Sequence, residues 1–292
     1  MRGINKNYSR TLKSGLLLAI AFAPFFLQAT TLIHAGKLID GKSDEIRYNM
    51  TIVINDNLIT DVIKGYKNPK DDETYLDLKG HTVLPGLMDM HVHFGGEYQS
   101  KAERPSKVEK EMEAILATQD AYVTFFAGFT TVRQVGDSGM VAISLRDAIN
   151  QGKLVGPRIF TSGKSLATTG GHADPTNGRA VGDYDYPLPE DGVVNGPYEV
   201  YTAVRQRYKD GADGIKITVT GGVLSEAKSG SNPQFTQEEV NAVVKAAKDY
   251  GMWVAVHAHG AEGMKRAIRA GVDSIEHGTF MDEEAMELMI EN

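Results

Sequence analysis

The chain of 292 residues is 41% hydrophobic and 24% charged, proportions that exclude a disordered, collagen-like or multi-span membrane protein. It has no cysteine, so disulfides, thiolate metal sites and cysteine nucleophiles are excluded, and any chemistry falls to histidine, lysine, carboxylates or hydroxyls. A net charge of −7 argues against a nucleic-acid partner.

The first segment carries Arg2, Lys6, Arg10 and Lys13 without an acid, then the apolar run Leu16 to Leu27 and the small-residue stretch Gln28-Ala29-Thr30. That order is the order of a secretory signal peptide, with cleavage expected after Ala29. The run falls short of the ~20 apolar residues of a permanent span, so the expectation is a periplasmic or secreted protein with no stable membrane anchor after cleavage. Losing residues 1–29 removes four basic side chains and no acid, which takes the net charge from −7 to −11.

Three β-rich runs follow, Thr31 to Gly41, Asn49 to Ile63 and Thr74 to Gly80, separated by Gly, Asn and Asp turn residues. They predict hairpins of a small β-domain over 30–84, whose His34 and His81 read as surface or satisfied side chains. From Val83 the pattern changes. Strand-like runs at Val83–Phe94, Thr130–Val135, Arg158–Ser162, Gly214–Thr220, Trp253–His257 and Ser274–His277 alternate with helical ones. Helices are predicted over Lys107–Ala127, Met140–Gln151, Gln237–Tyr250, Ala261–Ala270 and from Asp282 to the end. The third is the clearest: Thr236 and Glu239 form a capping box, Val240, Val243, Val244 and Ala247 make an apolar stripe, and Gly251 follows. Repeated βα units imply an α/β fold with a parallel sheet, either open or closed as a barrel. No glycine-rich phosphate-binding motif supports a nucleotide-binding version.

Six of the eight histidines fall at or after the C-terminal ends of these strands, where a parallel barrel builds its active site. His91 and His93 are two residues apart on a strand, so both point to one face while Val92 points to the other. Two such imidazoles can reach one metal ion, each at about 2.0–2.1 Å. The run Val83 to Met88 before them reads as buried. In Gly214 to Thr220, Ile215, Ile217 and Val219 form one face and Lys216, Thr218 and Thr220 the other, which places the lysine inside a barrel. A buried ammonium is costly. Spacing leaves two readings open: a lysine paired with a buried carboxylate, or an amine that takes up carbon dioxide as a carbamate able to bridge two metal ions.

Together, His91-Val92-His93 after Leu84-Pro85-Gly86-Leu87-Met88-Asp89, Lys216 in mid-strand, His257 in Val254-Ala255-Val256-His257-Ala258-His259-Gly260, and Glu276-His277-Gly278 resemble the metal-dependent amidohydrolase superfamily. The similarity is to its imidazolonepropionase-like branch, with Xaa-Pro and Xaa-Arg/Lys dipeptidases, and Thr168 to Pro175 resembles the segment after the third strand of that group. The resemblance implies a (β/α)8 TIM barrel beside a small N-terminal β-sandwich, acting on the amide bond of a dipeptide or on a cyclic amide or other small molecule. It implies two divalent metal ions, zinc being the expected occupant although such ligands also accept manganese, cobalt or nickel. By the same resemblance His91 and His93 hold one ion, His257 and His277 the other, and carbamylated Lys216 and a hydroxide bridge them. His172 would be catalytic at the substrate carbonyl, while His259 and Arg179 would contact substrate, Arg179 through a carboxylate. A homo-oligomer stays open.

One departure accompanies the resemblance. The family barrel has two more strands, and its eighth carries a metal-binding Asp; this sequence ends in the helix after the sixth. Residues 85–292 therefore read as a barrel truncated after the sixth βα unit, an expectation that leaves an inactive metal-binding remnant as the rival reading.

Overall fold

The computed structural model describes residues 30–96 and 110–292, apart from Val181, Asp183, Leu224 and residues 226–228. The expected signal peptide and the start of the helix expected from Lys107 lie outside the described residues. No helix among the described residues is long and apolar enough to cross a membrane. The chain divides into two compact units, Met1–Pro85 and Gly86–Asn292.

The first unit is a four-stranded sheet in the order β3-β2-β1-β4, built from β1 (Thr30–Leu38), β2 (Arg47–Asn55), β3 (Leu58–Lys64) and β4 (Thr74–Val83). The first three strands are antiparallel hairpin partners, the second hairpin turning at Asp56, whose φ is 55°. β4 departs from the hairpin expectation. The connection 65–73 carries the chain back to the free edge of β1, where β4 pairs in parallel. Ala35, Leu38, Met50 and Ile52 form the core on one face of the sheet. Among the described residues this unit is a single sheet, without the second layer of the expected sandwich. His34 is neither on the surface nor fully satisfied: it is buried between Tyr66 and Tyr75, its Nε2 lies 2.9 Å from the Lys67 carbonyl, and its Nδ1 has no partner among the described residues.

The second unit alternates strand and helix: β5 (Leu87–Val92), α1 (Lys110–Phe126), β6 (Phe129–Gln134), α2 (Val141–Asn150), β7 (Arg158–Thr161), α3 (Pro197–Asp210), β8 (Gly214–Thr218), α4 (Gln237–Asp249), β9 (Trp253–Gly260), α5 (Ala261–Ala270), β10 (Ser274–Phe280) and α6 (Glu283–Glu291). Every strand pair is parallel, in two three-stranded sheets, β5-β6-β7 and β8-β9-β10. A parallel bridge between Leu166 and Ile217, with Asp213 N donating to the Thr161 carbonyl at 2.7 Å, joins the two. Six parallel strands thus follow one another in chain order, as in part of a (β/α) barrel rather than a doubly wound sheet.

Helix α3 is the element missing from the sequence reading. Its composition is strongly polar, and only Val200, Ala203, Val204 and Arg207 are buried, so the apolar stripe is thin. Pro197 at its first turn and Gly211 as a left-handed C-cap were the available signals. The other surprise is the run before His91. Val83 ends β4, while Leu84, Leu87 and Met88 are 50%, 45% and 67% exposed, against the expected burial. The reason is position: β5 is an edge strand whose only sheet neighbour among the described residues is β6.

Candidate active site

The strands aim their alternate side chains as their sequences dictate. On β8, Ile215 and Ile217 join Val219 in the apolar cluster formed with α3 and α4, which leaves Lys216 and Thr218 facing the other way. On β5, Val92 packs with Ala117 and Ala121 of α1, so His91 and His93 turn from the helices. β10 breaks the alternation. His277 takes φ 73°, a left-handed conformation rare for a residue with a side chain, and neighbours Glu276 and His277 consequently both face the site.

These side chains meet around a cavity of about 360 Å³ lined by His91, His93, His172, Lys216, His257, His259 and His277. Arg179 is the one expected site residue set apart. It lines an adjoining cavity of about 780 Å³ that shares His93, Ser165, His172 and Ala173 with the first. Among the described residues its guanidinium has no ion-pair partner, so it is available to an anion.

The hydrogen bonds decide which imidazole atoms are free. His91 Nδ1–H donates to Glu276 Oε2 at 2.9 Å, and His93 Nδ1–H donates to the Gly136 carbonyl at 3.0 Å. Both acceptors lack a proton of their own, and in two neutral rings both Nε2 atoms therefore carry lone pairs. Those two atoms lie 3.1 Å apart. Facing lone pairs repel unless a cation sits between them, and a cation bound by two imidazoles satisfies the arrangement. Gly136, with φ 137°, supplies the turn that brings its carbonyl to His93.

On the other side His257 Nε2–H donates to the Gly221 carbonyl at 2.9 Å, leaving Nδ1 free. His259 Nδ1 shares a 2.7 Å hydrogen bond with Thr279 Oγ1, leaving Nε2. His257, His259 and His277 each offer a ligand atom within 4.8 Å of the others, so His259 joins a group that the sequence reading limited to His257 and His277. The His172 ring stacks on His257 with centroids 4.2 Å apart. Gly222 makes that stack fit, because a Cβ there would stand 2.6 Å from the His172 ring and 2.9 Å from that of His257.

Burial favours the neutral form of His93, His172, His257 and His277. Burial pushes His93 and His277 down to about 4 and His257 to about 2. Burial likewise holds Lys216 down to about 8, against the opposing pull of Glu276. Burial would raise Glu276, but hydrogen bonds from His91 and Ser274 and the charge of Arg133 bring it to about 2. Neutral imidazoles, a readily deprotonated buried amine and one anchored carboxylate form a donor set that fits divalent cations.

The amidohydrolase family profile matches residues 82–291. The chain belongs to the amidohydrolase family. It is 32% identical over 277 residues to ochratoxinase of Aspergillus niger, an alignment covering 89% of this chain and 57% of that protein. Among solved structures it is similar to a Xaa-Pro dipeptidase with methionine bound in its active site, at TM-score 0.88 and 80% identity, covering 90% of this chain and 65% of that one. A prolidase complexed with N-methylphosphonate-L-proline matches at TM-score 0.79 and 33% identity, over 90% of this amidohydrolase chain and 64% of the prolidase. The chain thus spans less than two thirds of the length of each of these relatives.

Sequence reasoning missed the polar partners of the site: Glu276, Arg133, Ser225, Thr279 and the carbonyls of Gly136 and Gly221. For Glu276 a signal existed, a carboxylate beside a histidine at a strand end. For the two carbonyls none does, because every residue has one.

Proposed function

We propose that the protein to which this chain belongs hydrolyses the C–N bond of dipeptides of the Xaa-Pro or Xaa-Arg/Lys type at a centre of two divalent metal ions, zinc foremost. The observation that carries the metal reading is the pair of Nε2 atoms of His91 and His93, 3.1 Å apart with both Nδ1 atoms already committed. The choice of a dipeptide follows the 80% identity to a Xaa-Pro dipeptidase. His91 and His93 would hold one ion and His257 and His277 the other, with His259 close enough to assist. Lys216 is buried, and its amine gives up its proton more easily than an exposed lysine's, which favours uptake of carbon dioxide; as a carbamate it would be a further ligand to the ions. Bound divalent ions supply a water of lowered pKa and polarise a carbonyl.

The remaining residues bind and orient. Ser225 Oγ accepts the Gly222 N–H at 3.0 Å, so its own proton is available to His172 Nδ1, 2.7 Å away. That leaves His172 Nε2–H as a donor for the oxygen that gains charge when a carbonyl is attacked. Arg179, which lines the adjoining cavity and has no ion-pair partner among the described residues, suits the terminal carboxylate of a dipeptide. The basic and then apolar residues 1–29 support export to the periplasm or beyond.

The test is hydrolysis by the full-length protein of a panel of Xaa-Pro and Xaa-Arg dipeptides beside cyclic amides, with metal content measured on the same sample. Dipeptide turnover with about two ions per chain is expected. Turnover of cyclic amides alone would overturn the dipeptide assignment, and full activity after exhaustive chelation would overturn the metal centre.

A further inference from the structure

Glu276 stands where the elements of the second unit converge. It is 7% exposed, and its two oxygens receive three donors from three strands: His91 Nδ1 at 2.9 Å on one, Arg133 at 2.5 Å and Ser274 Oγ at 2.7 Å on the other. Arg133 is also buried, at 9% exposure, and its remaining nitrogens are spoken for. Its Nε donates to the Met90 carbonyl at 2.8 Å, one residue before His91, and Nη1 donates to Ser274 Oγ at 3.0 Å. The guanidinium carbon lies 5.4 Å from the Trp253 ring. β5 and β10 share no backbone ladder, so this side-chain tie from β6 links the strand of His91 to the strand of His277.

A lone imidazole exchanges its proton between Nδ1 and Nε2, and only one of the two forms offers a lone pair at Nε2. A carboxylate on Nδ1–H selects that form and holds the ring plane. For Glu276 to reach His91, the residue before His277 has to face inward, which the left-handed φ of 73° at His277 achieves. Such a conformation is strained at a residue with a side chain and persists where its surroundings enforce it.

We propose that Glu276, clamped by Arg133 and Ser274, is a positioning residue that commits His91 to metal binding by fixing its Nδ1–H form and aiming its Nε2 toward His93. The inference rests on the reading of His91 and His93 as metal ligands. It assigns no contact with substrate to Glu276; the carboxylate acts through His91, and Arg133 acts through Glu276. It also gives Glu276 a purpose beyond its electrostatic pull on Lys216, with which it shares no hydrogen bond or ion pair among the described residues.

The experiment measures zinc affinity of the full-length protein by competition with a chromogenic chelator, with the form of each histidine ring read from long-range nitrogen–proton NMR of the metal-free protein labelled with 15N-histidine. Glu276→Gln is expected to weaken zinc binding by roughly 10- to 100-fold and to give one ring a mixed Nδ1–H and Nε2–H signal. Arg133→Met should move both readouts in the same direction by less. If Glu276→Gln fails to fold because Arg133 is left without a counter-charge, the double variant Arg133→Met/Glu276→Gln removes that charge and decides the matter. The double variant should fold and still bind zinc weakly; wild-type affinity in either Glu276 variant would overturn the inference. His91→Ala separates the two levels of the argument. If it keeps full zinc content, the ligand reading itself fails. If it loses an ion while Glu276→Gln binds normally, only the positioning role fails.

Discussion

Strands β5–β7 and strands β8–β10 both feed the candidate site, yet they hold their ligands by different means. β9 is flanked by strands on both sides and β8 by β9 and the bridge at Leu166, and Ile215, Ile217, Val254 and Val256 are sealed under α3, α4 and α5 in one large apolar cluster. The cluster under β5–β7 is smaller, centred on Val92, Val132, Leu145 and Ile159, and Met88, Met90 and Phe126 around it stay at least half exposed. Lys216 is therefore set in place by packing, and His257 by packing together with the Gly221 carbonyl. His91 and His93 sit on the thinner half, and polar bonds to Glu276 and Gly136 set them. The lesson is that one site rests on two kinds of support, which should fail differently.

The largest effect is expected at the well-packed half. In the full-length protein Lys216→Ala should bring hydrolysis of a Xaa-Pro dipeptide to the background rate, with partial recovery when a short carboxylic acid such as acetate is added in place of the carbamate. A variant with normal rate and normal metal content would remove Lys216 from the site.

Next come the two cores themselves. Ile217→Ala should cost about 2–5 kcal/mol in urea unfolding, because its neighbours are too well packed to collapse into the cavity. Ile159→Ala, in the smaller cluster, should fall at or below the low end of that range. Equal costs would erase the distinction between the halves.

Acid provides the third probe. His93 and His257 protonate at about 4 and about 2 when folded, but near 6.5 when unfolded. Between pH 6.5 and 4 the unfolded chain therefore binds protons that the folded chain does not. The stability of the metal-free protein should fall as pH drops through this window, by roughly 1 kcal/mol per pH unit for each ring. Below about 4.5 Glu276 adds to the loss, since its folded value is about 2 and its stabilisation disappears as it becomes protonated. His93→Gln should flatten the first part of the profile, as followed by urea midpoints from pH 7 to pH 4; an unchanged slope would contradict the burial of that ring.

The smallest expected effect is local. Thr236 caps α4 by accepting the Glu239 N–H at 3.2 Å, while Glu239 Oε2 accepts the Thr236 N–H at 2.8 Å. Thr236→Ala should cost about 1 kcal/mol and leave metal affinity unchanged.

That capping box belongs to the part of the molecule legible in the sequence, and α4 begins and ends within a residue of its predicted bounds. The six strand positions of the second unit and the inward face of Lys216 were legible for the same reason: periods of 2 and 3.6 are local and survive any tertiary arrangement. α3 was not, because four buried positions on a polar helix leave little periodicity to detect. The exposure of Leu87 and Met88 was not, because an apolar run records no information about how many strands flank it.

By itself, then, the sequence determined the alternation of strands and helices, the placement of His91, His93, His257 and His277 at the predicted strand ends and of Lys216 within a strand, and the family to which those motifs belong. The tertiary structure alone decided which nitrogen of each ring is free, that His259 joins His257 and His277, and that Glu276 and Arg133 reach across to His91. Those outcomes depend on atoms far apart in the chain: His91 and Glu276 are 185 residues apart. The turn of backbone that lets Glu276 and His277 face the same way is a single φ of 73°, which alternation forbids and only the surrounding contacts can enforce.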